Sequence, residues 1–305
     1  MSWERTDTGV PRIPMGEWVD EGFDWVTSTL GGVFDTVADV TDSLTNGLAD
    51  LLNTPPALVL AVVLALLAWL VRDWKLALTS LVGLLFVAGV DQWENAMETL
   101  ALVTVATLVA LVVAVPTGIL AARSPRVSRV VRPVMDLMQT MPAFVWLVPV
   151  VSLFGIGVSG AVVATVIFAL PPGVRLTELG IRQVDPEIVE AGQAFGAAPG
   201  EILRGIQLPL ALPTVMAGVN QVIMLALSMA VIAGLVGGGG LGGVVTSSIA
   251  SLNIGLGFEA GLSVVVLAVF LDRLTSALSD NTPRPRRLGA DFLRRSQRTP
   301  EPAVA

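Results

Sequence analysis

Residues 137–174 and 205–258 contain no Asp, Glu, Lys or Arg, over 38 and 54 consecutive positions. Crossing a bilayer takes about 20 predominantly apolar residues at 1.5 Å each, so each run is longer than one crossing requires. Backbone amides inside lipid must pair within the chain, which leaves helices or closed barrels as the spanning structures. The runs lack the strict alternation of a barrel strand. Charged residues make up 14% of the 305 positions, against about 25% in soluble domains. The chain therefore reads as an all-α membrane protein, a polytopic helical bundle.

Spans fall at about 55–71, 76–92, 98–122, 136–154, 159–174, 211–235 and 258–278, about seven transmembrane helices in all. The run 137–174 divides at the glycine-rich turn Gly155-Ile156-Gly157-Val158-Ser159-Gly160. Basic residues occupy alternate connections: Arg72 and Lys75; Arg123, Arg126, Arg129 and Arg132; Arg175, Arg182 and Arg204; then the C-terminal tail from Arg273 on. The opposite connections carry acids such as Asp91, Glu94 and Glu98. Basic loops stay in the cytoplasm, so the segment 175–210 and the tail 280–305 are expected there. With an odd number of spans the N-terminus lies outside, in the plasma membrane of the cell.

Residues 1–50 hold ten acids against Arg5 and Arg12. No basic start followed by an apolar run marks a cleavable leader. Residues 1–17 read as unstructured. From Val19 the apolar positions Phe23, Val26, Leu30, Val33, Val37, Val40, Leu44, Leu48 and Leu51 step by three and four, an amphipathic helix. Its acidic polar face disfavours anionic headgroups. The helix is expected to pack on the membrane surface or on the protein itself; a partner-binding role is the alternative. Residues 1–53 thus form an extracytoplasmic acidic tail, and 54–94 two leading spans.

There are no cysteines, no histidines and one lysine, Lys75, with no glycine before it. Thiol and imidazole catalysis and the usual zinc sites are excluded, and so is a phosphate-binding P-loop. The chain is not expected to be an enzyme, to hold a metal or cofactor, or to bind nucleic acid.

The stretch "EAGQAFGAAPGEILRGIQLP", residues 190–209, is polar yet lies between the most apolar parts. Asp185-Pro186-Glu187 is a helix start. A short helix through Glu190 to Phe195 would stop at Gly196, and a second would open at Pro199 and end at Pro209. Two short helices joined at a glycine make a knob projecting from the membrane.

The knob matches the cytoplasmic signature of ABC importer permeases: Glu-Ala-Ala, three residues, Gly, nine residues, then Ile-x-Leu-Pro. Glu190, Ala191, Gly196, Ile206, Leu208 and Pro209 fit, while Gly192 replaces the second alanine. Beyond the loop, "RSPR" at 123–126, "MDLMQTMPAFVWLVPVVSLFGIG" at 135–157, "IFALPPGVRLT" at 167–177, "LPLALPTVMAGVNQ" at 208–221, "MLALSMAVIA" at 224–233 and "LDRLT" at 271–275 resemble the glycine betaine/L-proline transporter permeases. The resemblance covers about 95–279 and implies a type I ABC importer permease fold there. It also implies a homodimer working with two ATPase subunits, which hold ATP and Mg, and with an extracytoplasmic substrate-binding protein. The loop 175–210 would then be the coupling element that docks on the ATPase.

For a quaternary ammonium solute, aromatic faces and methionines make an uncharged path. Met138, Met141, Phe144, Trp146, Met224 and Met229 are candidates, with Gln139, Asn220 and Gln221 as polar contacts. The alternative for each is packing against lipid or a neighbouring helix. "GGGGLGG" at 237–243 satisfies a dinucleotide pattern, but no strand precedes it. It is expected to let the sixth span bend and pack closely, with Gly237, Gly238, Gly239 and Gly240 as gating candidates. Asp272 and Arg273 are expected to form an ion pair. Importers of the same class for choline, carnitine or another small solute stay open as alternatives, as do an ATP-independent carrier and a membrane scaffold. The carrier reading lacks a charged residue deep in a span.

Overall fold

The computed structural model describes residues 14–280, and no strand occurs among them. The helices are α1 (Met15–Asn53), α2 (Ala57–Val71), α3 (Trp74–Gly89), α4 (Trp93–Arg123), α5 (Pro125–Thr140), α6 (Ala143–Phe154), α7 (Val158–Arg182), α8 (Pro186–Ala194), α9 (Pro199–Ile202), α10 (Leu208–Ala233), α11 (Gly240–Ala250) and α12 (Ile254–Asp280). The basic tail lies outside the described residues.

The centre is a close trio of α4, α7 and α10. Lipid is as apolar as a leucine side chain, so helices in a membrane associate through close packing of small residues. That is what the trio does. A Cβ on Gly118 of α4 would lie 2.6 Å from the Thr177 Cβ of α7. One on Gly173 of α7 would lie 2.9 Å from the Ala114 Cβ, and one on Gly218 of α10 3.0 Å from the Leu176 Cβ. Ala106, Ala110, Val222 and Ala226 fill the space between them. Around this centre, α2, α3 and α12 share a second cluster with Leu64, Leu84 and Leu267.

Among the described residues, four helices or helical rods are long and apolar enough to cross a membrane: α4, α7, the rod 199–236 that contains α10, and α12. Two bent pairs, α1 with α2 and α5 with α6, raise the number to six at most. The one expected span outside this number is α3. The 16 residues of α3 fall short of the roughly 20 a hydrocarbon layer takes. The expected span 136–154 is broken: α5 and α6 meet at 104°. Pro142 explains the break, because the residue before a proline is pushed out of the helical region, and Met141 sits at φ −73°, ψ 133°. Residues 240–250, left between spans in the sequence reading, form α11. The turn at Gly155–Gly157 lies where expected, with positive φ at both glycines.

The helix α1 starts at Met15, so residues 15–17 are helical rather than unstructured. It contacts α4, α7 and α6 through a face of small residues: Thr41, Thr45 and Ala49 are buried. The Val/Leu stripe is not that face. Val33, Val37, Val40, Leu44 and Leu51 stay exposed, about a third of a turn round the helix.

Candidate functional site: the knob, its latch and the path

The polar stretch folds as the sequence suggests up to Gly196. Asp185 caps α8 by accepting from the Glu187 amide at 3.0 Å. Gly196 ends it at φ +81°, the left-handed conformation a glycine adopts freely. The Ala197 amide donates back to the Gly192 carbonyl at 3.1 Å. Glu201 reaches back to the Ala198 amide at 2.8 Å and fixes the start of α9.

From there the structure departs from expectation. Pro209 does not end the second helix. Residues Leu203–Gln207 form a π turn in which the Leu208 amide donates to the Leu203 carbonyl. The wider turn carries the chain past Pro209, which has no amide hydrogen to donate and sits in the first turn of α10. Residues 199–236 become one continuous rod. Ile206, Leu208 and Pro209 therefore belong to the junction between knob and span, while Glu190, Ala191 and Gly196 are exposed on the knob. Gly192 faces inward, where a Cβ would meet the Ile206 Cδ1 at 2.8 Å.

Phe195, which the sequence reading passed over as a site residue, is 92% exposed at the tip of α8, with Ile188 also exposed. Its signal was available: a phenylalanine beside a turn glycine, on a helix with no buried residue.

A second group was not anticipated. Glu178 of α7 is buried, and one of its carboxylate oxygens accepts from Ser128 at 2.8 Å and from Arg132 at 2.9 Å, both on α5. Arg182, one turn later on α7, also lies 2.9 Å from that oxygen and donates to the Ala121 carbonyl of α4. Arg175 pairs with Asp136 of α5 as well. The ends of α4, α5 and α7 next to the knob are thus tied through one carboxylate.

The path candidates are dispersed. Met141 and Phe144 line a cleft of about 1280 Å³ between α1 and α6, together with Asp20, Phe23, Asp24 and Ser152. Gln221 and Met224 lie on one face of α10 with Ala217 and Ser228; Met224 is half-buried and the other three are exposed. Ser228, missed from sequence, is seven residues beyond Gln221, two helical turns along the same face. Gln139 is exposed at the end of α5. The Trp146 indole donates to the Met138 carbonyl at 3.3 Å, bracing the α5–α6 break. Met138 packs beside Met135, Leu170 and Val174. Met229 is fully buried among Leu147, Val150 and Ala164. The Asn220 amide donates to Asp272 at 3.1 Å and its carbonyl accepts from Thr275, which joins α10 to α12. Asp272 therefore bonds Asn220, and no ion pair with Arg273 forms in place of that bond.

The glycine run turns sharply: Gly237, Gly239 and Gly240 have positive φ. The Gly240 amide donates to Glu98 at 2.8 Å and the Leu241 amide to the Thr99 hydroxyl at 2.9 Å. Side chains of α4 thus cap α11, supplying acceptors for its first free amides.

The profile of the family "Binding-protein-dependent transport system inner membrane component" matches residues 114–282. The chain belongs to this family. Among its relatives, the glycine betaine/proline betaine transport system permease protein ProW of Escherichia coli is 49% identical over 87% of this chain and 75% of its own length. The glycine betaine transport system permease protein OpuAB of Bacillus subtilis is 46% identical over 87% and 94%. The glycine betaine/carnitine transport permease protein GbuB of Listeria monocytogenes is 43% identical over 88% and 97%. Among solved structures, a chain of the inward-facing MetNI methionine ABC transporter superposes with a TM-score of 0.58 at 22% identity, over 63% of this permease and 96% of that chain. The permease thus has the type I importer fold and is a multi-pass membrane protein.

Proposed function

We propose that this permease is the membrane subunit of an ATP-driven importer of glycine betaine and proline betaine. The observation that carries the substrate is the 49% identity, over 87% of the chain, to a permease of a glycine betaine/proline betaine system. The solutes named for the relatives, carnitine and trimethylamine N-oxide among them, all carry a fully substituted, N-methylated, positively charged nitrogen, which makes that group the common feature. The described part of α10 carries no charged side chain, and its exposed face combines Gln221 and Ser228 with Met224. Such a face offers polar and polarizable contacts without a cation to repel the ammonium.

In this reading two copies of the permease pair in the membrane, and ATP and Mg reside on two ATPase subunits. The exposed tip of α8, with Glu190, Phe195 and Gly196, docks on the ATPase, and the rod 199–236 transmits its displacement. An extracytoplasmic protein delivers the solute. The knob and the C-terminus face the cytoplasm, and α1 lies outside. Gly237–Gly240 shape the outer end of the path.

The test is uptake. Co-expressed with its ATPase and binding protein, the permease is expected to give ATP-dependent uptake of glycine betaine, blocked by excess proline betaine and only weakly by proline. Uptake of a sugar or an anionic solute, with no inhibition by excess betaine, overturns the assignment.

A further inference from the structure

We propose that Glu178 is a positioning residue for coupling: it makes the knob-side ends of α4, α5 and α7 move as one unit, so that displacement of the knob reaches the broken α5–α6 span. This rests on the docking role of the knob but not on the identity of the solute.

Three observations converge on it. The carboxylate is 5% exposed and is held by three donors from two helices, whereas its partner Arg132 is 59% exposed. A buried carboxylate needs its charge matched and its lone pairs used, so this cluster has one satisfied arrangement rather than a range of them. Second, two of the donors come from α5, which otherwise touches α7 little, whereas α4 and α7 pack closely. Ser128 and Arg132 lie in the first half of α5, and Arg182 fastens α7 to the last turn of α4 through the Ala121 carbonyl. Third, the cluster sits between the two moving parts the fold offers. Arg182 is the last residue of α7, three residues before the Asp185 cap of the knob, and α5 leads to the 104° break at Met141. Gly118, which faces Thr177 at contact distance, removes bulk where α4 meets this turn of α7 and lets the charged group close over it.

Replacing Glu178 by glutamine keeps the shape and removes the charge. Two arginines then lose their common anionic partner, but Arg132 is 59% and Arg182 36% exposed, so both can turn to water. Folding is expected to survive while the tie to α5 loosens. The native chain has no cysteine, so a single cysteine at Val148 of α6, 70% exposed, reports the span cleanly.

The experiment uses the complete transporter in proteoliposomes, with spin labels at Val148→Cys and at Ala198→Cys on the knob, and compares the ATP-vanadate state with the nucleotide-free state. In the parent, the interlabel distance is expected to shift with nucleotide. In Glu178→Gln the ATPase subunits are expected to co-purify at parental stoichiometry, yet the shift is lost and solute moved per ATP hydrolysed falls at least fivefold. Arg132→Gln, which leaves Ser128 and Arg182 on the carboxylate, is expected to do the same, and the double variant to be no worse than either single. A parental shift in both single variants overturns the latch alone. Additive losses in the double variant also overturn it, since the two groups would then act separately. A parent with no nucleotide-dependent shift overturns the docking role and the latch together.

Discussion

The Ile206 Cδ1 atom occupies the space that a Cβ on Gly192 would need, 2.8 Å from where that carbon would sit. The missing alanine of the family signature is thereby matched to its neighbour across the knob: α8 packs on the π turn through an isoleucine tip rather than through its own methyl group.

Restoring the alanine should be nearly neutral. The crowding atom is the far end of a flexible side chain, and alanine gains up to about 1 kcal/mol of helix propensity over glycine. Gly192→Ala is expected to retain uptake within twofold of the parent. Gly192→Leu has to displace Ile202 as well and is expected to lose uptake with the protein still in the membrane. Uptake assays on membranes with equal permease content check both.

Gly196 has open space around it, so its constraint is the backbone angle alone. A residue with a Cβ at φ +81° costs roughly 1–2 kcal/mol, more when β-branched and less for asparagine. Gly196→Val is expected to abolish substrate-stimulated ATP hydrolysis and uptake together, and Gly196→Asn to keep most of both. Equal loss in the two variants would point to a contact at this position instead.

Phe195 should act as the apolar anchor of docking. Exposed aromatics that enter a partner's pocket commonly contribute about 2 kcal/mol, roughly 30-fold in affinity. Phe195→Ala is expected to weaken retention of the ATPase subunits by that order while leaving the permease's own thermal stability unchanged. Titration of the purified ATPase against the permease in nanodiscs measures it.

Orientation is open to direct labelling. With no native cysteine, Ser43→Cys on α1 and Asn95→Cys at the start of α4 are expected to react with an impermeant maleimide on intact cells. Ser251→Cys, exposed at the α11–α12 turn, is expected to react too. Ala198→Cys on the knob is expected to react only after the cells are opened.

Gly240 carries two constraints at once, a φ of +56° and close contact of any Cβ with the Thr99 hydroxyl. Gly240→Ala is expected to destabilise the permease by about 2 kcal/mol or more, because alanine has to strain the backbone and also displace the cap on α11. A thermal melt in detergent reads this, with Gly243→Ala, which meets nothing within 4 Å, as the control.

What the sequence by itself determined follows from short-range chemistry. Uncharged runs demand helices in lipid, Asp185-Pro186 starts a helix, Gly155 and Gly196 permit their turns, and the spacing from Glu190 to Pro209 names the kind of loop. Each of these depends on neighbours within a few residues. The tertiary structure decided what depends on neighbours far along the chain. Pro209 reads locally as a stop, yet a π turn carries the helix through it. Residues 136–154 read as one span, yet Pro142 breaks them into a right-angled pair. The valine stripe of α1 reads as its packing face, yet Thr41, Thr45 and Ala49 make the contact because small side chains let the helix approach α4 and α7. Glu178 reads as one more charge after a span. Only folding brings Ser128 and Arg132, some fifty residues away, onto its carboxylate, because a charge buried there has to be met by whichever donors the packing of α5 against α7 supplies.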